Sequence, residues 1–440
     1  MDVYESAKTL LLEAKKSGAT GVRVASGERH SYSVVLEQGN ASPEIRHGRY
    51  IILVVYVGAR TALVETSTTT EQGLKRLAEK AVEMARASME DPFAGLSDAS
   101  LWPKDVEEMR KMLDKMDRTE LPTLKELTDL THALEDAAMS QKGIMRTESA
   151  LAGVQYGRSV FMTSKGFEDF GEGTRYVLST DAVAGSGETM VQGSDGESRT
   201  HRSDLKSPLS IGLLAAERAL ARVGASSFSG GLMPVVFDRL VAQALISPLL
   251  SATLGSNVYA DNSFLKEHLG RRICSDMITI VDDPHIPRMN NSRIYDSDGV
   301  ASKHMPIILG GILQMWLTSL KSAAQLGVMP TGHGGGHLGN VIVRNGECSQ
   351  NELMADIRRG FYVTRVMGLN ANTTTGDFCC GAQGFLIEDG KVARPIDQMT
   401  IAGSLLEMLK SMEIANDRDE RRTFSAPSLR IESMVVAGKS

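Results

Sequence analysis

Apolar and polar positions along this chain follow two periods, and the switches between them lay out its elements. Ala7, Leu10, Leu11 and Ala14 recur at helical spacing, and Gly18 marks where that helix stops. Residues 20–27, 31–37 and 50–57, rich in Val, Ile and Tyr, predict strands, and Arg60 to Thr66 predicts another. Thr68-Thr-Thr-Glu71 has the form of a capping box, so a helix burying Leu74, Leu77, Ala78 and Ala81 should follow. An α-β-β-β-β-α order with hairpin-length links implies an antiparallel sheet covered by two helices. This is the first expected unit, residues 1–90.

The second expected unit, 91–231, opens with a linker, Asp91 to Asp105, that contains two prolines. Pro122-Thr-Leu-Lys-Glu126 caps a helix with Leu127, Leu130, Leu134 and Ala138 on one side. Gly143 to Arg202 alternates small, β-branched and aromatic residues, as a strand meander does, and the glycine-rich 185–198 predicts an exposed hairpin tip. Ser207-Pro208 supplies the N-cap and first turn of a helix with the stripe Leu209, Leu213, Ala216, Leu220 and Val223, closed by Gly224. Residues 226–231 form the joint to a last unit, 232–440. There, Gly381–Asp389 reads as a strand, Glu388-Asp-Gly-Lys391 as a hairpin turn and Ser404-Leu-Leu-Glu407 as a capping box before Leu405, Leu409 and Met412. The fold class is therefore α+β: an N-terminal antiparallel sheet with covering helices, then a larger strand-rich C-terminal domain. Short strands and glycine loops in that domain should leave sheet edges in need of cover.

Composition removes several function classes. With 48 Lys and Arg against 54 Asp and Glu, the net charge of the 440 residues is −6 and no long basic run is present, so direct nucleic-acid binding is not expected. Four cysteines without a CxxC pair suit a reducing compartment. The first 16 residues carry charges throughout, and the longest apolar run, Ile51 to Val57, is too short to span a bilayer, so a cytoplasmic chain without membrane contact is expected.

Met367 to Met408 contains MGxNxxxxTGD, GAxGFxIEDG and PxxxxTIAGxLxxM, and Ala415-Asn-Asp417 follows. With Asn257-Val-Tyr259, Asp282-Asp-Pro-His-Ile286, Asp296-Ser-Asp-Gly-Val300 and Thr331-Gly-His333 upstream, these resemble the C-terminal half of the TldD/PmbA family of metalloproteases, over about 232–438. Asp91-Pro-Phe-Ala-Gly95 is the one comparable landmark in the N-terminal half. Within the family the chain resembles the TldE (PmbA) subunit. The resemblance implies a C-terminal domain of TldD/PmbA type and a heterodimer with a TldD-like zinc-bearing subunit. It further implies a closed chamber that takes unfolded peptides, leader peptides included. Family members have also been called modulators of DNA gyrase. TldD-type partners carry a helical HExxxH and a late Cys as zinc ligands. No histidine here is followed by Glu, and on the family pattern the motif falls on residues 239–244, with Arg239, Leu240 and Ala244, while the Cys position falls on Ala426. The resemblance thus implies no metal in this chain and zinc in its partner.

The remaining candidates carry more than one reading. His333-Gly-Gly-Gly-His337 offers an i,i+4 metal pair, but three glycines disfavour a helix. HGGG also suits an oxyanion loop, yet no G-x-S-x-G elbow exists. The third reading is a tight loop whose histidines bond locally or to backbone. Cys379-Cys380 on a strand would point to opposite faces, one of them buried. Asp377 after Thr373-Thr-Thr-Gly376 suits an amide cap better than a catalytic carboxylate. Gly438-Lys-Ser440 is no P-loop, since no helix follows. Most of the 22 methionines belong in the core. For substrate contact the expected residues are Gly332, His333, Gly334, Gly335, Gly336, Gly376, Asp377 and Gly381, where an extended peptide could meet bare backbone. Two other functions remain open: a stand-alone peptide-binding or scaffold protein, and an autonomous metal hydrolase using His333 and His337.

Overall fold

A computed structural model describes residues 1–438, so Lys439 and Ser440 of the terminal Gly-Lys-Ser lie outside it. The first sheet is built from β1 (Gly21–Glu37), β2 (Asn40–Val57), β3 (Arg60–Thr66), β4 (Ile144–Thr163), β5 (Glu168–Ala184) and β6 (Val191–Arg199), in the order β3-β2-β1-β4-β5-β6. All its pairings are antiparallel. Residues 1–90 and 91–231, separate units in the sequence reading, therefore share one sheet. Four helices cover one face: α1 (Val3–Lys16), α2 (Glu71–Ala87), α4 (Leu124–Met139) and α5 (Pro208–Leu220), while α3 (Val106–Leu113) leads into α4. Leu10 and Ala14 of α1 and Leu74 and Ala78 of α2 bury against Val22, Val24 and Leu53; Leu127 and Leu134 of α4 bury against Val34, Leu36 and Leu178. Removing side chains of this size from water is the main stabilising term, about 1.5–3 kcal/mol each.

Three local expectations change. The cap of α2 is Thr70, whose hydroxyl accepts from the Gly73 N–H, instead of Thr68. Residues 191–199 are the edge strand β6, not a hairpin tip. Gly193 is needed there because a Cβ would come within 2.2 Å of the Ala219 backbone N in α5. The buried stripe of α5 is Ile211, Gly212, Ala215, Ala216 and Ala219, and Leu209 and Val223 are exposed. Its small residues face inward since α4 lies so close that a Cβ on Gly212 would meet the Leu134 carbonyl oxygen at 2.5 Å.

Beyond residue 230 come β7 (Gly231–Phe237), β8 (Ile280–Asp283), β9 (Met305–Leu309), β10 (Ile312–Leu313), β11 (Asn340–Val343), β12 (Arg359–Ala371), β13 (Asp377–Glu388), β14 (Lys391–Ser404), β15 (Glu413–Ile414), β16 (Phe424–Ser425) and β17 (Leu429–Gly438). The helices here are α6 (Gln243–Ala252), α7 (Gly255–Tyr259), α8 (Leu320–Leu326), α9 (Gln350–Met354) and α10 (Leu405–Lys410). One sheet runs β10-β9-β8-β11-β16. The other runs β14-β13-β12-β7-β17-β15, and β14 also pairs with β17, so five strands close on themselves as a barrel. Closure leaves the five barrel strands without a free edge, because each is paired on both sides, while β10 and β16 remain the edge strands of the other sheet. Asp389 and Gly390, with φ of 47° and 74°, make the hairpin turn between β13 and β14. Ser404 makes no side-chain cap for α10, because it still pairs as a strand residue with Asp377. Even so, Leu405, Leu409 and Met412 are buried. No helix among the described residues is long and apolar enough to cross a membrane.

The helix-free face of the first sheet looks toward the C-terminal domain. Arg23 pairs with Asp298 and donates to the Ser297 carbonyl at 2.6 Å, and Phe161 and Phe167 pack on Tyr295 with ring centroids 5.4 and 5.2 Å apart. The loop between β8 and β9 thus forms the seam between the two halves.

Candidate functional site

Against that seam lies the loop 331–337. His333 and Asp282, 51 positions apart, are both fully buried, with Nε2 and Oδ2 3.0 Å apart. The other ring nitrogen is 2.9 Å from the Thr331 hydroxyl, which accepts from the Thr318 N–H at 2.7 Å. The Gly334 N–H donates to Asp296 Oδ2 at 2.6 Å, and Asp296 Oδ1 accepts from Asp298 and Val300. Burial and the nearby Asp298 push the Asp296 carboxyl up, and those three N–H bonds pull it back. Arg293 donates to the carbonyls of Gly332, at 3.2 Å, and His337, at 2.8 Å. Gly334 is required, since a Cβ there would meet Asp296 Oδ2 at 2.8 Å and Asp298 Oδ2 at 2.9 Å.

His333 is therefore held on one side locally, by Thr331, as the tight-loop reading has it, and on the other by a carboxylate remote in sequence, Asp282. Both its ring nitrogens are engaged, and His337 is exposed on the far side of Gly335, so the two do not form a preformed metal pair. Among the described residues no three His, Cys, Asp or Glu side chains converge as metal ligands do. Only Gly335, Gly336 and His337 project outward as a crest. On one side is a cleft of about 630 Å³ lined by Ser247, Asn291, Gly336 and Leu338; on the other is one of about 620 Å³ lined by Tyr56, Phe93, Lys321 and Gly335. His337 lines both.

The second glycine group lies elsewhere. Gly376 packs its backbone on Phe264, where a Cβ would meet the ring at 3.4 Å. Asp377 accepts from the Thr375 hydroxyl at 2.6 Å, and the backbone amides expected to bond it go to Asn372 Oδ1 instead, from Thr374 and Thr375. Gly381 is in a strand, as the pattern from Gly381 to Asp389 predicts. It lies within β13, paired with Met367 on one side and Thr400 on the other, so its backbone has no free group for a peptide. Neither cleft beside the 335–337 crest includes 376–381. Cys379 is exposed and Cys380 buried, as the strand alternation requires, and burial pushes the Cys380 thiol up to about 12. Asp282, Asp296 and Asp298 stand within the sequence landmarks without a role of their own, and Arg293 lies between those landmarks. Asp-x-Asp-Gly is a turn pattern, and only the fold brings it to the 331–337 loop.

Residues 230–438 match the PmbA/TldA metallopeptidase C-terminal domain, and residues 117–223 match the central domain of the same family. The chain belongs to the PmbA/TldD metallopeptidase family. It is 29% identical over 439 residues to "Metalloprotease PmbA" of Escherichia coli O157:H7, covering 99% of this chain and 96% of that relative. It is 30% identical over 386 residues to a PmbA homolog of Haemophilus influenzae, covering 87% and 84%. A Bacteroides thetaiotaomicron crystal structure, described as a candidate modulator of DNA gyrase, superposes with a TM-score of 0.91 at 26% identity over 99% of each chain. The mixed fold and the strand-rich C-terminal half are those of this family.

A family named for metallopeptidase activity implies zinc, and the positions its pattern assigns do not fit one. Helix α6 begins only at Gln243, so Arg239 and Leu240 precede it, and Arg239 donates to the Asp417 carbonyl at 2.9 Å. Ala244 and Ala426 are 7% and 2% exposed, and present methyl groups where donor atoms would be needed. Pro248 lies inside α6.

Proposed function

We propose that this PmbA-type chain is the non-zinc subunit of a two-chain cytoplasmic metallopeptidase. A TldD-like partner carries the zinc, and this chain encloses and positions unfolded peptides, leader peptides among them, for cleavage. The observation that carries the reading is the filling of the motif positions by Arg239, Leu240, Ala244 and Ala426 in a chain whose relatives are named metalloproteases. The rigidly anchored 331–337 loop, with its glycine crest between two clefts, supports a positioning role. A backbone without side chains lets an extended peptide approach closely, whatever its sequence.

The test is reconstitution. The purified chain, an HExxxH-bearing partner and their mixture are assayed for zinc content and for cleavage of an unstructured peptide. The mixture should cleave, and the chain alone should hold no stoichiometric zinc. One tightly bound zinc per isolated chain, with peptide cleavage by that chain alone, both lost in His333→Ala and in exposed His337→Ala while the chain stays folded, would establish an autonomous hydrolase instead. Peptide binding with no partner-dependent cleavage would make the chain a stand-alone binding protein.

A further inference from the structure

A third cleft, of about 460 Å³, lies between the helix-free face of the first sheet and the 289–295 segment of the seam loop, and shares Asn290 to Arg293 with the first. Its floor is bare. The register sets Arg29 opposite Gly157 and Gly157 opposite Gly173, with Ser159 opposite Gly171 in the next row of the same face. Gly157 is demanded by packing, because a Cβ would come within 2.7 Å of the Glu28 carbonyl oxygen. Gly173 is not: its Cβ would sit 3.4 Å from the Lys115 carbonyl, an ordinary contact, and that of Gly171 would meet only a rotatable hydroxyl. A side chain could stand at either place, and its absence leaves the floor open.

The walls carry uncompensated positive charge in a chain whose net charge is −6. Each carboxylate lining the cleft already has its own arginine: Glu28 has Arg158, Asp169 has Arg110 and Glu172 has Arg118. Arg29 is exposed, and among the described residues no carboxylate pairs with it or with Arg175, whose Nε donates to the Ser198 hydroxyl at 2.7 Å. Lys115 has no carboxylate either. Its ammonium donates to the carbonyls of Met289, Asn290 and Ser292 at 2.7, 2.6 and 3.2 Å, fixing the loop that walls the cleft. Two guanidinium groups beside a bare sheet surface suit a carboxylate carried on an extended chain.

We infer that this cleft is a carboxylate-recognition site that gives the protein a preference for acidic extended peptides, with Arg29 and Arg175 as the carboxylate ligands. The inference rests on the peptide-handling reading above and names its substrate class. Calorimetric titration of the full chain with a Gly/Ser octapeptide holding two Glu residues, with its Gln counterpart, and with the C-terminal amide of each tests it. At low ionic strength the Glu peptide should bind roughly tenfold tighter than the Gln peptide, near the lower end for charge-assisted hydrogen bonds. The gap should narrow as salt is raised. If amidation removes the gain instead, the carboxylate recognised is the peptide terminus. R29Q/R175Q should abolish the discrimination, and G173L should weaken acidic-peptide binding with both arginines present, each variant keeping the wild-type melting profile. Equal binding of all four peptides, or discrimination that survives in both variants, would overturn the inference. Cleavage of the Gln peptide by the reconstituted pair separates the two readings. Cleavage without acidic preference removes only the cleft; arginine-dependent acidic binding without any cleavage removes only the protease role.

Discussion

Replacing His333 by Ala should destabilise the C-terminal domain without a catalytic explanation being needed. In the native chain His333 and Asp282 are each 1% exposed at the side chain and 3.0 Å apart, and Arg293 is no nearer to Asp282 than 3.9 Å. Asp282 Oδ1 has no hydrogen-bond partner, so His333 holds the better-satisfied of the two oxygens. A hydrogen bond to a charged group contributes about 1.5–3 kcal/mol, and leaving a buried carboxylate unpaired costs about 3–5 kcal/mol in comparable cases. The expected loss for His333→Ala is therefore about 3 kcal/mol or more, and for Asp282→Asn about 1–2 kcal/mol, since an amide oxygen still accepts. Trp316, 7% exposed in the C-terminal core, reports unfolding by fluorescence in a Trp102→Phe background. Urea titrations of His333→Ala, Asp282→Ala and the double variant should give a coupling of about 2 kcal/mol or more. If His333→Ala lies within about 0.5 kcal/mol of wild type, or if the singles add, the pair is not what anchors the loop.

Three further outcomes are expected. Gly335 has a φ of 74°, and a Cβ there would press His337 at 3.0 Å, whereas a Cβ at Gly381 makes only a 3.4 Å contact with the Met367 carbonyl oxygen of β12. Gly335→Val should thus lower cleavage by the reconstituted pair and Gly381→Val should leave it near normal; the reverse order in a peptide-cleavage assay would refute the crest as a peptide contact. Burial raises the Asp117 carboxyl, but N–H bonds from Arg202 and Thr119, the Thr119 hydroxyl and nearby His201 outweigh it and hold the group at about 2. An acid with a depressed folded pKa stabilises above its unfolded value, about 3.9, and loses that as pH falls toward 2. The stability gap between wild type and Asp117→Asn should accordingly shrink from pH 4 to pH 2, and a gap constant over that range in urea titrations would contradict the assignment. Finally, maleimide should label exposed Cys379 within the native chain and reach buried Cys274 and Cys380 only on unfolding, with mass spectrometry identifying the sites.

Much of the N-terminal half was legible because its helices bury regular stripes, as Ala7, Leu10 and Ala14 show. The failures share a cause. Glycine reads as a turn signal at Gly193, where it marks a helix close above a strand, and as bare backbone open to a peptide at Gly381, where it is an interior strand position. In α5 the large apolar residues form the stripe that helical spacing predicts inward, whereas close helix packing selects the small ones. The glycine run 332–336 was visible in the sequence, but not which of its members stand outward. The partner of His333 was not, because Asp282 reaches it from β8, and only the pairing of β8 with β11 brings the two segments together. Arg29 and Arg175 lay outside every motif and became neighbours across a floor that only strand register defines.

Closure of the barrel has a consequence for synthesis. The strand that seals it, β17, emerges from the ribosome about two hundred residues after β7, the neighbour it pairs with. Until then β7 and β14 each present a row of unpaired amides to the cell, while all six strands of the first sheet have already been made. Contacts this distant in sequence form late and slowly. A substitution that weakens β17, such as a polar residue at Ile431 or Val436, opens two edges at once. Its first symptom should be insoluble, edge-to-edge aggregated product rather than a folded protein with reduced activity.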